Sequence, residues 1–177
     1  GINVLRTEMF LETENNLKNN IDSKIFYLEA PTGSGKSNIA FNLSFQLLKK
    51  SDYCRKIFYV YPFNTLVEQN MNSMEKIFGQ NEVIMSNIAV VNSITPYKVK
   101  NSSNANRYED EKYAIENYQK ILLDRQFLNY PIVLSTHITL FDTMFGRSKD
   151  STFGFHQLCH SVIVLDEIQS YNNNKWG

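Results

Sequence analysis

Val4, Leu5, Met9, Phe10 and Leu17 recur at near-helical spacing, which predicts an amphipathic helix over residues 4–20. Ile25, Phe26, Tyr27 and Leu28 form a short continuous apolar run and predict a strand over Lys24–Glu29. From Lys36 to Lys50 the apolar positions Ile39, Ala40, Leu43, Leu47 and Leu48 fall on one face, the pattern of a helix. Lys56–Tyr61 reads as a second strand stopped by Pro62. A helix capped by Asn64 or Thr65 follows and ends before Gly79. Ile88–Asn92 is a third strand, the Asn- and Ser-rich stretch Lys98–Arg107 a loop, and residues 108–129 a helix. Pro131–Ser135 is a strand, His137–Phe145 a short helix, Gly146–Gly154 a polar loop, and Ser161–Leu165 the last strand. Near-continuous apolar strands separated by helical segments predict an α/β fold, a parallel sheet with helices on both faces.

Composition narrows this picture without redirecting it. A chain of 177 residues with 42% hydrophobic and 13% aromatic content can bury the core of one α/β domain. Its 18 basic and 18 acidic residues balance, so no global positive field marks a nucleic-acid binder, although a local stripe remains compatible. Cys54 and Cys159 stand far apart, which fits a reduced, cytoplasmic setting. His156, Cys159 and His160 lack the second cysteine pair of a zinc site and read as packing or loop. No apolar run approaches the roughly 20 residues needed to span a bilayer, so no membrane partner is expected. The chain starts at Gly1 without an initiator Met and stops at Gly177, which suggests a fragment of a longer protein, incomplete at its C-terminus.

Chemistry enters at Ala30-Pro31-Thr32-Gly33-Ser34-Gly35-Lys36-Ser37, which lies between the first strand candidate and a helix. Polyphosphate charge must be held by fixed donors. A glycine-rich turn lets successive backbone N–H groups point inward, and the following helix adds its positive end. In this reading Pro31, Thr32, Gly33, Ser34 and Gly35 form the cradle, Lys36 reaches the β- and γ-phosphates, and the Ser37 hydroxyl ligates Mg²⁺. ATP and Mg²⁺ are the cofactors this implies. The strict pattern has Gly six positions before the Lys, where this chain has Ala30.

Downstream, Val162-Ile163-Val164-Leu165 runs into Asp166-Glu167-Ile168-Gln169. A carboxylate at the end of a buried strand suits a metal beside the Ser of a cradle, which assigns Asp166. Glu167 would then orient or deprotonate the attacking water. Gln169 reads on its own as a solvated turn residue, while the superfamily 2 helicases that Asp166–Gln169 resembles imply a residue coupling the nucleotide site to a partner domain.

These stretches resemble superfamily 2 helicases. Ala30 at the head of the cradle and the Asp-Glu-x-Gln form of Asp166–Gln169 carry the likeness, which spans residues 20–171. More narrowly, Tyr59–Leu66, Leu134–His137 with Phe141-Asp142, and the segment 100–130 resemble the CRISPR-associated helicase of type I systems. That family usually has His where this chain has Gln169. The resemblance implies a single RecA-like ATP-binding domain over residues 1–177, with the second RecA-like domain and a nuclease domain absent. It implies an ATP-driven motor on single-stranded DNA (or RNA) that works with an RNA-guided surveillance complex and with the rest of its own helicase chain. It places Pro62, Asn64 and Thr65, and then Ser135, Thr136 and His137, against a nucleic-acid backbone. Asn64 and Thr65 read equally as a helix cap, and His137 as a satisfied turn residue. No Gln that would read adenine precedes the first strand candidate, and Arg6 to Glu8 offer only a positional candidate. Other readings are a different superfamily 2 motor such as an RNA helicase or restriction translocase, a nucleotide-binding regulatory module, or a small-molecule kinase.

Overall fold

Ile57, Phe58, Tyr59, Val60 and Tyr61 are each at most 2% exposed, and the strand they build, β1 (Lys56–Tyr61), organises the sheet. The computed structural model describes residues 1–31, 33–91 and 119–171. The chain separates into two compact units, Gly1–Arg55 and Lys56–Gly177.

The first unit is a helix pair, α1 (Ile2–Asn19) and α2 (Lys36–Lys50). Leu17, Ile39 and Phe41 are buried. The Glu14 carboxylate accepts from Asn42 Nδ2 at 2.8 Å and from the Gln46 amide, tying the helices together. Between them the expected strand Lys24–Glu29 does not form. Residues 25–30 have no ladder partner among the described residues, and Ile25 and Tyr27 are 89% and 78% exposed. The run has the composition of a buried parallel strand, but a strand is made by its neighbours, and no described strand pairs with it.

The second unit holds a four-stranded sheet in the order β2-β3-β1-β4, with every pair parallel. β2 is Ile88–Val91, β3 is Ile132–Thr136 and β4 is Ser161–Leu165. Helices flank the sheet: α3 (Asn64–Phe78), α4 (Glu82–Ser86), α5 (residues 119–126), α6 (His137–Phe145) and α7 (Lys149–Leu158). On one face Phe58, Val60 and Val133 pack with Leu128 and Leu140, and Leu158 closes over them. Outside that cluster, α3 packs against β1 and β3 and fully buries Val67 and Met74. The chain is an α/β domain of the parallel, helix-flanked kind that the apolar pattern predicts.

Three further expectations are corrected. Gly146–Gly154 is not a loop, because α7 begins at Lys149, where the Ser148 hydroxyl accepts from Ser151 N–H at 3.0 Å. Gly154 suits that helix because a Cβ there would come within 3.0 Å of Thr143 Cγ2, so α6 and α7 meet closely. Neither Asn64 nor Thr65 caps α3, whose N-cap is Phe63 with no side-chain hydrogen bond. The helix expected to reach Asn129 ends at residue 126, before Leu128 adopts a left-handed φ of 53°. The loop 98–107, Asn92 and the first half of the 108–129 helix lie outside the described residues. The short helix α4, a turn of helix long, was not anticipated.

Candidate functional site: a phosphate cradle and an acidic strand end

In the first unit the cradle is shaped by two glycines in the left-handed region, Gly33 at φ 77° and Gly35 at φ 92°. A Cβ on either would meet no atom within 4 Å, so the requirement is backbone conformation and not space. Ser34 N–H donates to Pro31 O at 3.2 Å and closes the turn. Gly35 is the N-cap of α2 and so brings no side chain to the helix end, and the first turn contains no acidic residue. The first N–H groups of a helix lack intrahelical acceptors, so here they await an external one. Lys36 opens the helix and makes no ion pair among the described residues. The Ser34 hydroxyl is buried without a hydrogen-bond partner there, and the Ser37 side chain is exposed. Helix dipole, open N–H groups and ammonium are all positive at this end, which is the donor set a polyphosphate needs. These residues fit ATP. Thr32 lies outside the described residues.

Arg6 was the residue that sequence reasoning placed only by position. Its Nη2 donates to Gly33 O at 2.7 Å, so α1 steadies the cradle from behind. No motif marks that contact, because it comes from 27 residues away.

In the second unit the parallel register sets Tyr61 beside Thr136 and Val60 beside Leu165, so β1, β3 and β4 end level. Ligand sites of open parallel sheets lie beyond such carboxyl ends. Asp166 N–H donates to Val60 O at 2.9 Å, which continues the ladder one residue past β4. Glu167 then takes a left-handed φ of 51°, with its N–H on Asp166 Oδ1 at 2.9 Å. A 3₁₀ turn, Ile168–Ser170, follows, and the Gln169 amide donates to Glu167 Oε2. Asp166 and Glu167 are half-buried, at the mouth of the sheet.

Tyr171 closes the acidic stretch, and the sequence assigns it no role. It is 5% exposed, its hydroxyl donates to Val60 O at 3.1 Å, and its ring lies 5.1 Å from that of His137. Val60 O therefore receives both Asp166 N–H and Tyr171 O–H. Burial, reinforced by the Asp166 charge, pushes the Tyr171 phenol well above its ordinary value. Tyr61 is pushed up in the same way, by burial first and then by Asp166, Tyr59 and Tyr171. A raised phenol pKa means the folded state resists ionisation, so its stabilising contribution is whole below the unfolded pKa of about 10 and is lost as pH rises above it. Denaturant midpoints are expected to be flat from pH 7 to 9 and to fall from pH 10 to 11. A Tyr171→Phe variant should show a shallower alkaline fall.

The residues assigned to a nucleic-acid backbone divide. Pro62 is buried at the end of β1, Asn64 is half-buried and Thr65 is exposed. Ser135 is 3% exposed and its hydroxyl donates to Val91 O at 2.7 Å, so this side chain holds β3 to β2. Thr136 is the N-cap of α6 and accepts from Thr139 N–H at 3.5 Å. Asn64 Oδ1 and His137 Nδ1 are buried without a partner among the described residues. Buried polar atoms are normally satisfied, so these two orphans mark the strand ends as unfinished sites. Among the described residues no three His, Cys, Asp or Glu side chains gather as a metal cluster, and no helix is long and apolar enough to cross a membrane.

The family described as type III restriction enzyme, res subunit (ResIII), matches residues 5–176. No curated protein matches the chain at a significant level.

Proposed function

This chain belongs to the ResIII family of superfamily 2 helicase-type domains, and from that premise we propose that it is the ATP-binding half of a motor that moves along single-stranded DNA. Membership implies an ATP-dependent helicase or translocase. The single observation that carries the nucleotide assignment is the uncapped, wholly positive N-terminus of α2 behind two left-handed glycines. In the first unit Lys36 and the backbone from Gly33 to Ser37 would hold the phosphates and the Ser37 hydroxyl Mg²⁺; in the second, Asp166 would ligate a metal and Glu167 orient water. Bound Mg-ATP supplies a phosphoryl group whose transfer to water drives motion. Gln169 holds the Glu167 carboxylate in its turn.

The orphaned polar atoms of Asn64 and His137 support a backbone-tracking strand across the ends of β1 and β3. Contacts of that kind do not read sequence, as a motor requires. β4 has β1 as its one described partner and leaves Ile163 and Leu165 40% and 36% exposed, which supports further elements of the same helicase packing there.

The likeness of Tyr59–Leu66 and Leu134–His137 to the CRISPR-associated helicase favours service to an RNA-guided surveillance complex in antiviral defence. A restriction translocase is the second reading, favoured by the family description. ATP turnover by the full-length chain, measured with single-stranded DNA, single-stranded RNA and duplex DNA, tests the motor. Stimulation by single-stranded DNA above the other two is expected. Equal rates with all three, or none, overturn the reading. Stimulation by duplex DNA alone selects the restriction translocase.

A further inference from the structure

Four aromatic rings form a row that runs from the acidic turn to the surface. His137, Phe141 and Phe145 recur every fourth residue on α6 and so share one helix face. Ring centroids are 6.1 Å apart for His137–Phe141 and 6.2 Å for Phe141–Phe145, and Tyr171 stands 5.1 Å from His137 at the inner end. Exposure climbs along the row, from 5% at Tyr171 to 71% at Phe145. Only the outer ring, Phe145, is broadly exposed, so the case for a ligand turns on what surrounds it.

The charge around the outer end says which. Arg147 and Lys149 stand two and four positions after Phe145, both exposed and neither ion-paired among the described residues. The nearby carboxylate of Asp142 accepts from Ser151 Oγ at 3.4 Å and is thereby engaged by α7. Aromatic faces beside unpaired cations suit an unpaired nucleic-acid strand, whose bases stack while its phosphates meet the cations. Within α6 the row begins at His137, whose own Nδ1 is one of the two orphaned atoms assigned to the backbone.

We infer that Phe145, at the outer end of the row on α6, is a stacking platform for a base of the tracked single strand, with Arg147 and Lys149 receiving its phosphates. The inference rests on the nucleic-acid reading above and adds a contact to bases, where the strand ends supply contacts to phosphates.

The test compares oligodeoxythymidylate with an abasic oligomer of equal length, about 12 nucleotides, by fluorescence anisotropy on the full-length chain. The abasic strand keeps every phosphate and lacks every base. Wild type is expected to bind the thymidylate about 5- to 150-fold more tightly, the range set by one base–aromatic stack. Phe145→Ala should erase that preference and leave abasic binding unchanged; at 71% exposure its loss leaves the core intact. Arg147→Ala should weaken both strands alike and flatten the salt dependence. Equal wild-type affinity for the two strands, or a preference that survives Phe145→Ala, overturns the platform and leaves the motor reading standing. Binding to neither strand overturns both.

Discussion

Replacing Lys36 with alanine is expected to abolish measurable ATP binding and to lower ATP hydrolysis by at least about 100-fold, while the fold becomes no less stable. The two halves of that result come from one piece of electrostatics. Lys36 stands at the first position of α2, where the helix macrodipole is positive, and the first turn holds no acidic residue to offset it. A cation there is unfavourable by about 0.3–1 kcal/mol, and alanine is also the better helix former. Without ligand, then, the substitution removes a repulsion. With a triphosphate bound, the same ammonium is the main charge facing the outer phosphates, and a charge-assisted contact disappears. A protein that keeps its thermal midpoint, or gains slightly, while losing nucleotide is the signature of a residue placed for a ligand. Isothermal titration with ATP and a melting curve check both halves. Retained ATP affinity would remove Lys36 from the site, and a large fall in stability would make it structural.

The parts of the site that a sequence can announce are those that local backbone geometry requires. Gly33 and Gly35 had to be glycine because the turn needs φ of 77° and 92°, and that demand is visible as spacing. Asp166 stands where four apolar residues predict the end of a strand, although β4 itself is only partly buried. The boundaries of α2, β1, α6 and β4 followed from periodicity alone.

What failed depended on partners distant in the chain. Ile25–Leu28 has a strand's composition, but pairing is a property of two segments, and the run has no described ladder partner and leaves Ile25, Phe26 and Tyr27 exposed. The helix α7 hid inside Ser, Asp, Thr and Gly, residues that favour loops because their side chains compete for backbone groups. The available cue was Ser148 three residues before Ser151, a cap whose hydroxyl takes the Ser151 N–H. The contacts of Arg6 and Tyr171 carry no motif, because each acts on a backbone carbonyl, Gly33 O and Val60 O, that any residue could have supplied. Their contacts span 27 and 111 residues of chain.

Glu167→Gln should give the opposite separation from Lys36→Ala: ATP affinity unchanged, hydrolysis down by about 100- to 10,000-fold, the range for losing a positioned general base. Geometry supports an isosteric change here. Glu167 holds a left-handed φ of 51°, a conformation that costs on the order of 1–3 kcal/mol in a non-glycine residue. Three hydrogen bonds from backbone N–H groups maintain it: Asp166 N–H to Val60 O, Glu167 N–H to Asp166 Oδ1, and Ser170 N–H to Glu167 O at 2.8 Å. None involves the Glu167 carboxylate, so glutamine inherits the same backbone. The amide oxygen of glutamine can also accept from Gln169 as the carboxylate does. The substitution thus removes basicity and little else. A slow, ATP-loaded protein in single-turnover assays is the expected outcome. Unchanged turnover would mean that the strained turn after β4 serves the fold alone, and the water would then need another base among the groups at the ends of β1 and β3.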